Sequence, residues 1–151
     1  GSSMKALVSL TLVAAAVAFA APASAQFAKP EEAVKYRQSA LFIMGQHFGR
    51  LGAMANDKMP YDAKAAAESA DIVAFMSKLP WAGFVPGADS PKAKPEIWKD
   101  AAHFKEASEK LQAEAAKLAT AAKAGNVAGL NTAFGPAAGT CKGCHDEFRA
   151  K

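Results

Sequence analysis

The sequence is short of the residues on which strands and strongly charged surfaces depend. Its 151 residues include two cysteines, two tyrosines and two tryptophans, and nowhere do β-branched residues alternate with polar ones as in a half-buried strand. Neither sign of charge dominates, since 18 basic and 14 acidic side chains give a formal net charge of +4. These shortages disfavour a strand-built fold and leave no strong field for nucleic acid or a membrane surface.

Both cysteines lie in one pentapeptide, Cys141-Lys142-Gly143-Cys144-His145. Two thiols three positions apart stand about one helical turn from each other, close enough to add to both vinyl groups of one porphyrin. The histidine that follows offers an imidazole to the iron. The pattern is the attachment signature of c-type haem. It predicts one covalently attached haem c, with thioethers from Cys141 and Cys144 and with His145 as the metal ligand.

Three other uses of the cysteine pair fit the sequence less well. A redox dithiol requires a strand–helix–strand context, which the surrounding residues do not provide. A four-ligand zinc site requires two more ligands at finger-like spacing, and His47 and His103 are isolated. A disulfide between Cys141 and Cys144 would close a very small loop and contribute little stability. His145, directly after the second cysteine, decides in favour of haem.

The first 25 residues have the pattern of a secretory signal peptide. Met4 and Lys5 precede an apolar stretch over residues 6–21, and Ala23-Ser24-Ala25 is a small-residue cleavage site. We expect cleavage before Gln26, and a periplasmic protein, because haem is attached to such motifs outside the bacterial cytoplasm. An uncleaved membrane anchor is the alternative.

The domain organisation follows from this cleavage. Residues 1–25 comprise the signal peptide and, at positions 1–3, a Gly-Ser-Ser left over from expression. Residues 26–151 then form one domain, long enough to bury a single core. Lys5 is the only charge removed, so 17 basic and 14 acidic side chains leave a net charge of +3.

Apolar residues repeating at three and four positions predict four helices, over about 30–55, 62–79, 95–124 and 127–148. We expect Asp62 to cap the second helix, Pro80 to stop it, a long loop from Pro80 to Pro95, and a kink or restart at Gly135-Pro136. Short links favour an all-α, antiparallel four-helix bundle with haem between helices. The predicted inward stripes are Val34, Leu41, Phe48 and Ala55; Ala66, Ser69, Val73 and Met76; Ile97, Ala101, Phe104, Ser108, Leu111, Ala115, Leu118 and Ala122; and Val127, Leu130, Phe134, Ala138, Cys141, Cys144 or His145, and Phe148.

The first helix carries two features that bear on the haem. Arg37 interrupts its apolar seam, where the guanidinium could bind a propionate or extend into solvent, and spacing favours neither. The sixth iron position would be nearest Leu41 or Met44. A leucine leaves the iron five-coordinate, whereas a methionine sulfur would complete an electron-transfer site. No methionine follows His145, which excludes small electron carriers with an early haem motif and a late methionine ligand.

The chain resembles the cytochromes c′, the class II c-type cytochromes. The resemblance spans nearly all of residues 26–151 and implies a left-handed four-helix bundle, usually a homodimer paired through its first two helices, with high-spin haem held by one histidine. The matching stretches are Gln26-Phe27-Ala28-Lys29-Pro30-Glu31, Tyr36-Arg37-Gln38-Ser39-Ala40-Leu41, Leu79-Pro80-Trp81-Ala82-Gly83-Phe84, Pro95-Glu96-Ile97-Trp98 and Cys141-Lys142-Gly143-Cys144-His145-Asp146.

The resemblance also implies roles for individual residues. Leu41 matches the apolar residue that blocks the open, distal face of the haem, and Arg37 matches the propionate-binding arginine. Arg149 matches a basic residue beside the proximal face, on the histidine side; its alternative role is an exposed cation at the helix end. Met44, Trp81 and Phe84 match residues that line the haem pocket, whereas Tyr36 and Trp98 fit packing, dimer contact or haem contact equally.

The function implied by the resemblance is nitric oxide binding, for scavenging or carriage that limits nitrosative damage. Nitric oxide binds distally first, the iron–histidine bond breaks, and a five-coordinate proximal nitrosyl can remain, whereas carbon monoxide binds only distally. No distal His–Arg pair for peroxidase chemistry is evident, so we expect no enzyme activity. Partners would be a second copy of the chain and a periplasmic redox protein, with no nucleic acid or membrane. The alternatives are a low-spin electron carrier with Met44 as sixth ligand, and nitric oxide reduction.

Overall fold

A computed structural model describes residues 26–151 of the protein. Their helices are α1 Pro30–Ala55, α2 Ala63–Met76, a 3₁₀ turn Pro80–Gly83, α3 Glu96–Lys99, α4 Ala101–Lys123 and α5 Val127–Phe148. Within these residues the only β pairing is an isolated antiparallel bridge between Ala93 and Arg149, and no helix is long and apolar enough to cross a membrane. The predicted signal peptide lies outside the described residues.

The helix ends follow local chemistry that the sequence largely predicts. α1 begins at Pro30, whose fixed φ suits a first turn, and two glutamates follow at the positive end of the helix dipole. Asp62 caps α2, since its side chain accepts from the backbone N–H of Ala65 at 2.9 Å. α2 ends at Met76, three residues before the predicted Leu79, because the chain turns out of the helix before it reaches Pro80.

Two predicted helices differ from the structure. The third is divided at Asp100, where φ −123° and ψ 56° leave the helical region and separate the short α3 from α4. As a result Ala101, predicted to face inward, is exposed. The fourth does not restart at Gly135-Pro136, because α5 is continuous through Pro136. The N–H that this proline lacks would have bonded to Thr132, an exposed residue whose carbonyl water can reach.

The core lies between the four long helices α1, α2, α4 and α5. The inward stripes of α2 and α4 are largely confirmed, but that of α1 is displaced. Its buried residues are Ala33, Arg37, Ala40, Met44, Leu51 and Met54, while Val34, Leu41, Phe48 and Ala55 are half-buried beside them. α1 packs against α2, the 3₁₀ turn and α5. The apolar face of α1 is wide, and the spacing of apolar residues at three and four positions does not determine which edge of that face these neighbours cover.

Candidate haem site

The two cysteines lie on the α5 surface that joins two groups of packed apolar side chains. Cys141 packs against the main core between the long helices. Cys144, one turn later, packs against a second group, the end cluster, formed by Ile97, Phe104 and Phe148 with flanking Trp81, Phe84, Ala93, Trp98 and Ala107. Both thiols are free and half-buried. A planar apolar group joined to both sulfurs would therefore lie along the border between the main core and the end cluster.

The protonation states of the cysteines argue against a redox dithiol. Burial raises the pKa of Cys141. Burial also raises the pKa of Cys144 to about 11, with smaller contributions from the charges of Cys141 and Glu147. Reactive dithiols instead have a lowered thiol pKa in an electropositive setting. Both side chains are neutral thiols at neutral pH, consistent with attachment to an apolar group.

His145 lies on the last turn of α5, directly after Cys144. Partial burial lowers the pKa of its imidazole, and the nearby positive charge of Arg149 lowers it further, while Asp146 acts in the opposite direction. The ring is therefore neutral near pH 7, the form in which histidine binds iron. No group of three His, Cys, Asp or Glu side chains able to hold a metal ion occurs among residues 26–151, so a single histidine ligand from this motif suits an iron whose other ligands come from a porphyrin.

Aromatic rings from three elements form the wall beside Cys144. The Phe84 ring lies 4.8 Å from that of Phe104, which lies 5.1 Å from that of Phe148, both in edge-to-face geometry. Trp81 stacks near Phe84 at 6.0 Å and donates its indole N–H to the Ser77 carbonyl at 2.7 Å. The structure thus brings together the predicted pocket residues Trp81 and Phe84. Phe104 and Phe148 were predicted only as core, because their helical spacing is the same for core packing and for a pocket wall.

Arg37 is buried, with 2% of its surface exposed, so its extension into solvent is excluded. Its Nη1 donates to the Gly83 carbonyl at 2.8 Å and its Nη2 to Ser90 Oγ at 3.2 Å, and its guanidinium carbon lies 4.6 Å from the centre of the Phe84 ring. Burial lowers its pKa, although Asp89 opposes the shift. These hydrogen-bond acceptors are neutral, and a buried cation is stabilised by an anion. The site therefore fits a haem propionate.

On α1, the two candidates for the distal side have different surroundings. Met44 is 7% exposed and belongs to the main core, the ordinary position of a methionine that fills space between helices. Leu41 is half-buried at the edge of the same core, to which Cys141 also packs. The side chain of Leu41 therefore lies nearer the protein surface than that of Met44.

Arg149 follows directly after α5 in an extended conformation, φ −106° and ψ 129°. Its backbone N–H donates to the His145 carbonyl at 3.1 Å, and its side chain is exposed. Since its charge contributes to the lowered pKa of His145, Arg149 lies on the histidine side of the site. The isolated bridge to Ala93 joins it to the loop before α3, a contact between distant segments that helical periodicity cannot predict.

The remaining polar and aromatic candidates make contacts of their own. His47 lies 3.4 Å from Ser69 Oγ, between α1 and α2. His103 contacts Glu147, which ties α4 to α5. Tyr36 packs against Phe27, with ring centres 5.1 Å apart. Trp98 flanks the end cluster, and its buried indole nitrogen has no hydrogen-bond partner among residues 26–151.

Comparison with known proteins shows the family to which the chain belongs. The family model described as Cytochrome C' matches residues 32–149. The cytochrome c' of Alcaligenes xylosoxydans xylosoxydans is 48% identical over 126 residues, which cover 83% of this chain and 99% of the relative. That of Rubrivivax gelatinosus is 49% identical over 129 residues, covering 83% and 100%.

The solved structures that the chain resembles belong to the same family. The crystal structure of cytochrome c' from Rubrivivax gelatinosus has a TM-score of 0.79 and 48% identity over 83% of this chain and all of that one. A nitric oxide complex of a variant of cytochrome c prime from Alcaligenes xylosoxidans has a TM-score of 0.79 and 46% identity over 83% and 99%.

The fold and the attachment motif define a helical c-type haem protein. Within that class, the chain belongs to the cytochrome c′ family. The predictions of an all-α four-helix bundle and of one covalently bound haem c are thereby confirmed, and Cys141 and Cys144 fit the attachment motif.

Proposed function

We propose that the mature protein is periplasmic and binds nitric oxide at a five-coordinate, high-spin haem, for scavenging or carriage that protects against nitrosative damage. Cys141 and Cys144 would hold the haem, His145 would ligate the iron, Arg37 would bind a propionate, and Trp81 and Phe84 would line the pocket. Carbon monoxide would bind on the distal side. Nitric oxide complexes solved for two variants of one relative support nitric oxide as the ligand. Proteins of this family carry haem and are not typically enzymes.

The observation that carries this proposal is the contrast between Leu41 and Met44. Met44, with its sulfur, is buried in the main core between the helices, whereas the aliphatic Leu41 lies at the edge of that core. An aliphatic distal residue cannot donate electrons to the iron, so the sixth position stays open, and it crowds any ligand that binds there. Crowding favours release of His145 and a final nitrosyl on the proximal side, near Arg149.

Optical and electron paramagnetic resonance spectra of the ferrous and ferric protein, with and without nitric oxide, test the proposal. We expect broad high-spin bands without ligand and a five-coordinate nitrosyl with it. In the alternative, Met44 is the sixth ligand and the reduced protein has sharp, split low-spin bands. Met44→Leu decides between them, because it leaves the proposed spectrum unchanged and abolishes the low-spin spectrum. Leu41→Ala is the matched variant, which should slow conversion to the five-coordinate nitrosyl.

We also propose a homodimer formed through α1 and α2. Phe42 and Phe75 are 66% and 64% exposed, and Ile43 is also exposed. These side chains lie on two helices that pack against each other, and large exposed apolar side chains are typical of interfaces when they form a contiguous patch. Periplasmic localisation is tested by fractionation of cells that express the whole chain, and sustained consumption of nitric oxide under an electron supply would instead indicate a reductase.

A further inference from the structure

The loop between the 3₁₀ turn and α3, residues 84–95, is fixed along its length; we refer to it as the strap. At its first end and its middle, buried Arg37 of α1 donates to the Gly83 carbonyl, directly before the strap, and to Ser90 Oγ. At its second end, Lys92–Lys94 pairs with Phe148–Ala150 around the bridge between Ala93 and Arg149. The strap therefore connects α1 with the end of the helix that carries His145.

The backbone pairing at the second end consists of two hydrogen bonds. The Lys94 N–H donates to the Phe148 carbonyl at 2.9 Å, and the Ala150 N–H donates to the Lys92 carbonyl at 3.0 Å. In a continuing helix, the Ala150 N–H would instead donate to the carbonyl four residues earlier, that of Asp146. Because the Ala150 N–H donates to the strap, the Asp146 carbonyl has no partner within the helix.

Lys94 supplies the missing donor. Its Nζ lies 3.0 Å from the Asp146 carbonyl oxygen, and its charge also lowers the pKa of the Asp146 carboxyl, although less than Lys142 does. A cation at the carbonyl end of a helix is stabilised by the helix dipole. The hydrogen bond is exposed to solvent, but the backbone of Lys94 is held by the pairing with Phe148, so the side chain starts from a fixed position beside the end of α5. α5 consequently ends at Phe148, and Arg149 is extended.

We propose that Lys94 is a positioning residue, which ends α5 and so holds Arg149 on the proximal side of the haem. Without it, the Asp146 carbonyl has no donor, the pairing of Phe148–Ala150 with the strap is weakened and opens more often, and Arg149 is no longer held in one position. The effect of Lys94 on the end of α5 does not depend on the proposed function. Only its effect on nitric oxide binding at the haem rests on that function. If nitric oxide reaches the proximal side, the position of Arg149 affects how much five-coordinate nitrosyl accumulates.

Lys94→Met in the holoprotein tests both parts, with Lys92→Met as the matched control. The control removes the same charge two residues away, from a residue that takes part in the pairing only through its carbonyl. Hydrogen exchange of the C-terminal peptide, which contains the Arg149 and Ala150 amides, reports on the pairing. Loss of one hydrogen bond should speed this exchange about fivefold in Lys94→Met and leave it unchanged in Lys92→Met.

The nitrosyl distribution, read by electron paramagnetic resonance, reports on the consequence. If Lys94 acts through Arg149, Lys94→Met shifts the five-coordinate fraction in the same direction as Arg149→Ala, and adding it to Arg149→Ala produces no further shift. Association of carbon monoxide, a distal ligand, stays unchanged.

Several results would overturn the proposal. Equal exchange in Lys94→Met and the wild type would show that Lys94 does not end the helix. Equal effects of Lys94→Met and Lys92→Met would indicate a long-range charge effect, and additive shifts in the double variant would show that Lys94 acts independently of Arg149. If the wild type forms no five-coordinate nitrosyl, the proposed proximal route is wrong, and the exchange measurement still decides whether Lys94 positions Arg149.

Discussion

Arg37 lies over the ring of Phe84: its guanidinium carbon is 4.6 Å from the centre of that ring. The same guanidinium donates to Gly83, the residue before Phe84. One buried cation thus fixes both the backbone that leads into the aromatic wall and the ring itself. The arginine that we propose as a propionate ligand is thus part of the packing, and changes to it should affect stability as well as binding of the cofactor.

Replacing Arg37 by methionine should lower the free energy of unfolding by about 1–3 kcal/mol, because the Gly83 carbonyl and Ser90 Oγ lose their donor inside the protein. The measurement is urea denaturation of the ferric holoprotein. Lys35→Met, an exposed position on the same helix, is the control and should change stability by less than about 0.5 kcal/mol. Equal stabilities of the two variants would contradict a structural role for the buried guanidinium.

Gly83→Ala should also destabilise the fold, by about 1–3 kcal/mol. A Cβ at this position would lie 2.6 Å from the Ala33 carbonyl oxygen and 2.7 Å from Arg37 Cβ, closer than such atoms approach. Gly45→Ala is an informative comparison, since a Cβ there meets nothing within 4 Å and alanine in a helix is favoured over glycine by about 0.5–1 kcal/mol. Thermal unfolding should therefore shift in opposite directions for the two variants, and a shift in the same direction would refute the steric argument.

Cys144 in folded apoprotein should react with iodoacetamide far more slowly than an exposed thiol. A pKa raised to about 11 by burial, compared with an ordinary thiol pKa of about 8.5, lowers the thiolate fraction at pH 7 by about two orders of magnitude. The folded state retains its proton more strongly than the unfolded chain does. This contribution to stability is therefore complete below the unfolded pKa and is lost as the pH rises through about 11.

Alkylation of a Cys141→Ser variant, followed by mass spectrometry from pH 7 to 11.5, isolates this thiol, and urea-unfolded protein provides the reference. A reaction midpoint near that of the unfolded chain would show that Cys144 is not shielded. The variant also lacks the Cys141 charge, one of the smaller causes of the shift, so its midpoint should lie slightly below that of the wild type.

Phe75→Glu should weaken the proposed dimer. Because Phe75 is mostly exposed, the substitution removes little packing from one copy but places two charges in the interface between copies. Sedimentation velocity should show a shift towards monomer, with an unchanged unfolding temperature at low protein concentration. Val127→Glu, at an exposed apolar position on α5, is the control and should leave association unchanged. Equal association of Phe75→Glu and the wild type would place the interface elsewhere.

The covalent haem c could be predicted from the sequence because its attachment motif is encoded locally. Cys141, Cys144 and His145 are neighbours in the chain, and a helix of known geometry is enough to bring their side chains to one end of it. The caps of α2 and α5 are equally local: the side chains of Asp62 and Asn126 accept N–H groups three residues later.

The contacts of the strap could not be predicted, because each joins segments far apart in the sequence. Nothing in the periodicity of α1 indicates that Arg37 donates to Gly83 and Ser90, since a loop has no repeat from which its path can be read. The pairing of Ala93 with Arg149 has the same origin. The displaced stripe of α1 shows a third limit: apolar residues on two adjacent stripes fit the same period, and only the neighbouring elements determine which one is buried.

Trp81 is the side chain, among those the structure describes, that packs against both the main core and the end cluster. No other described side chain belongs to both the main core and the end cluster. A displacement of side chains in the end cluster, such as ligand exchange at the proposed haem would cause, therefore reaches the main core through the indole of Trp81. In a Trp98→Phe variant, the fluorescence of Trp81 should report such a displacement before any loss of helix is detectable.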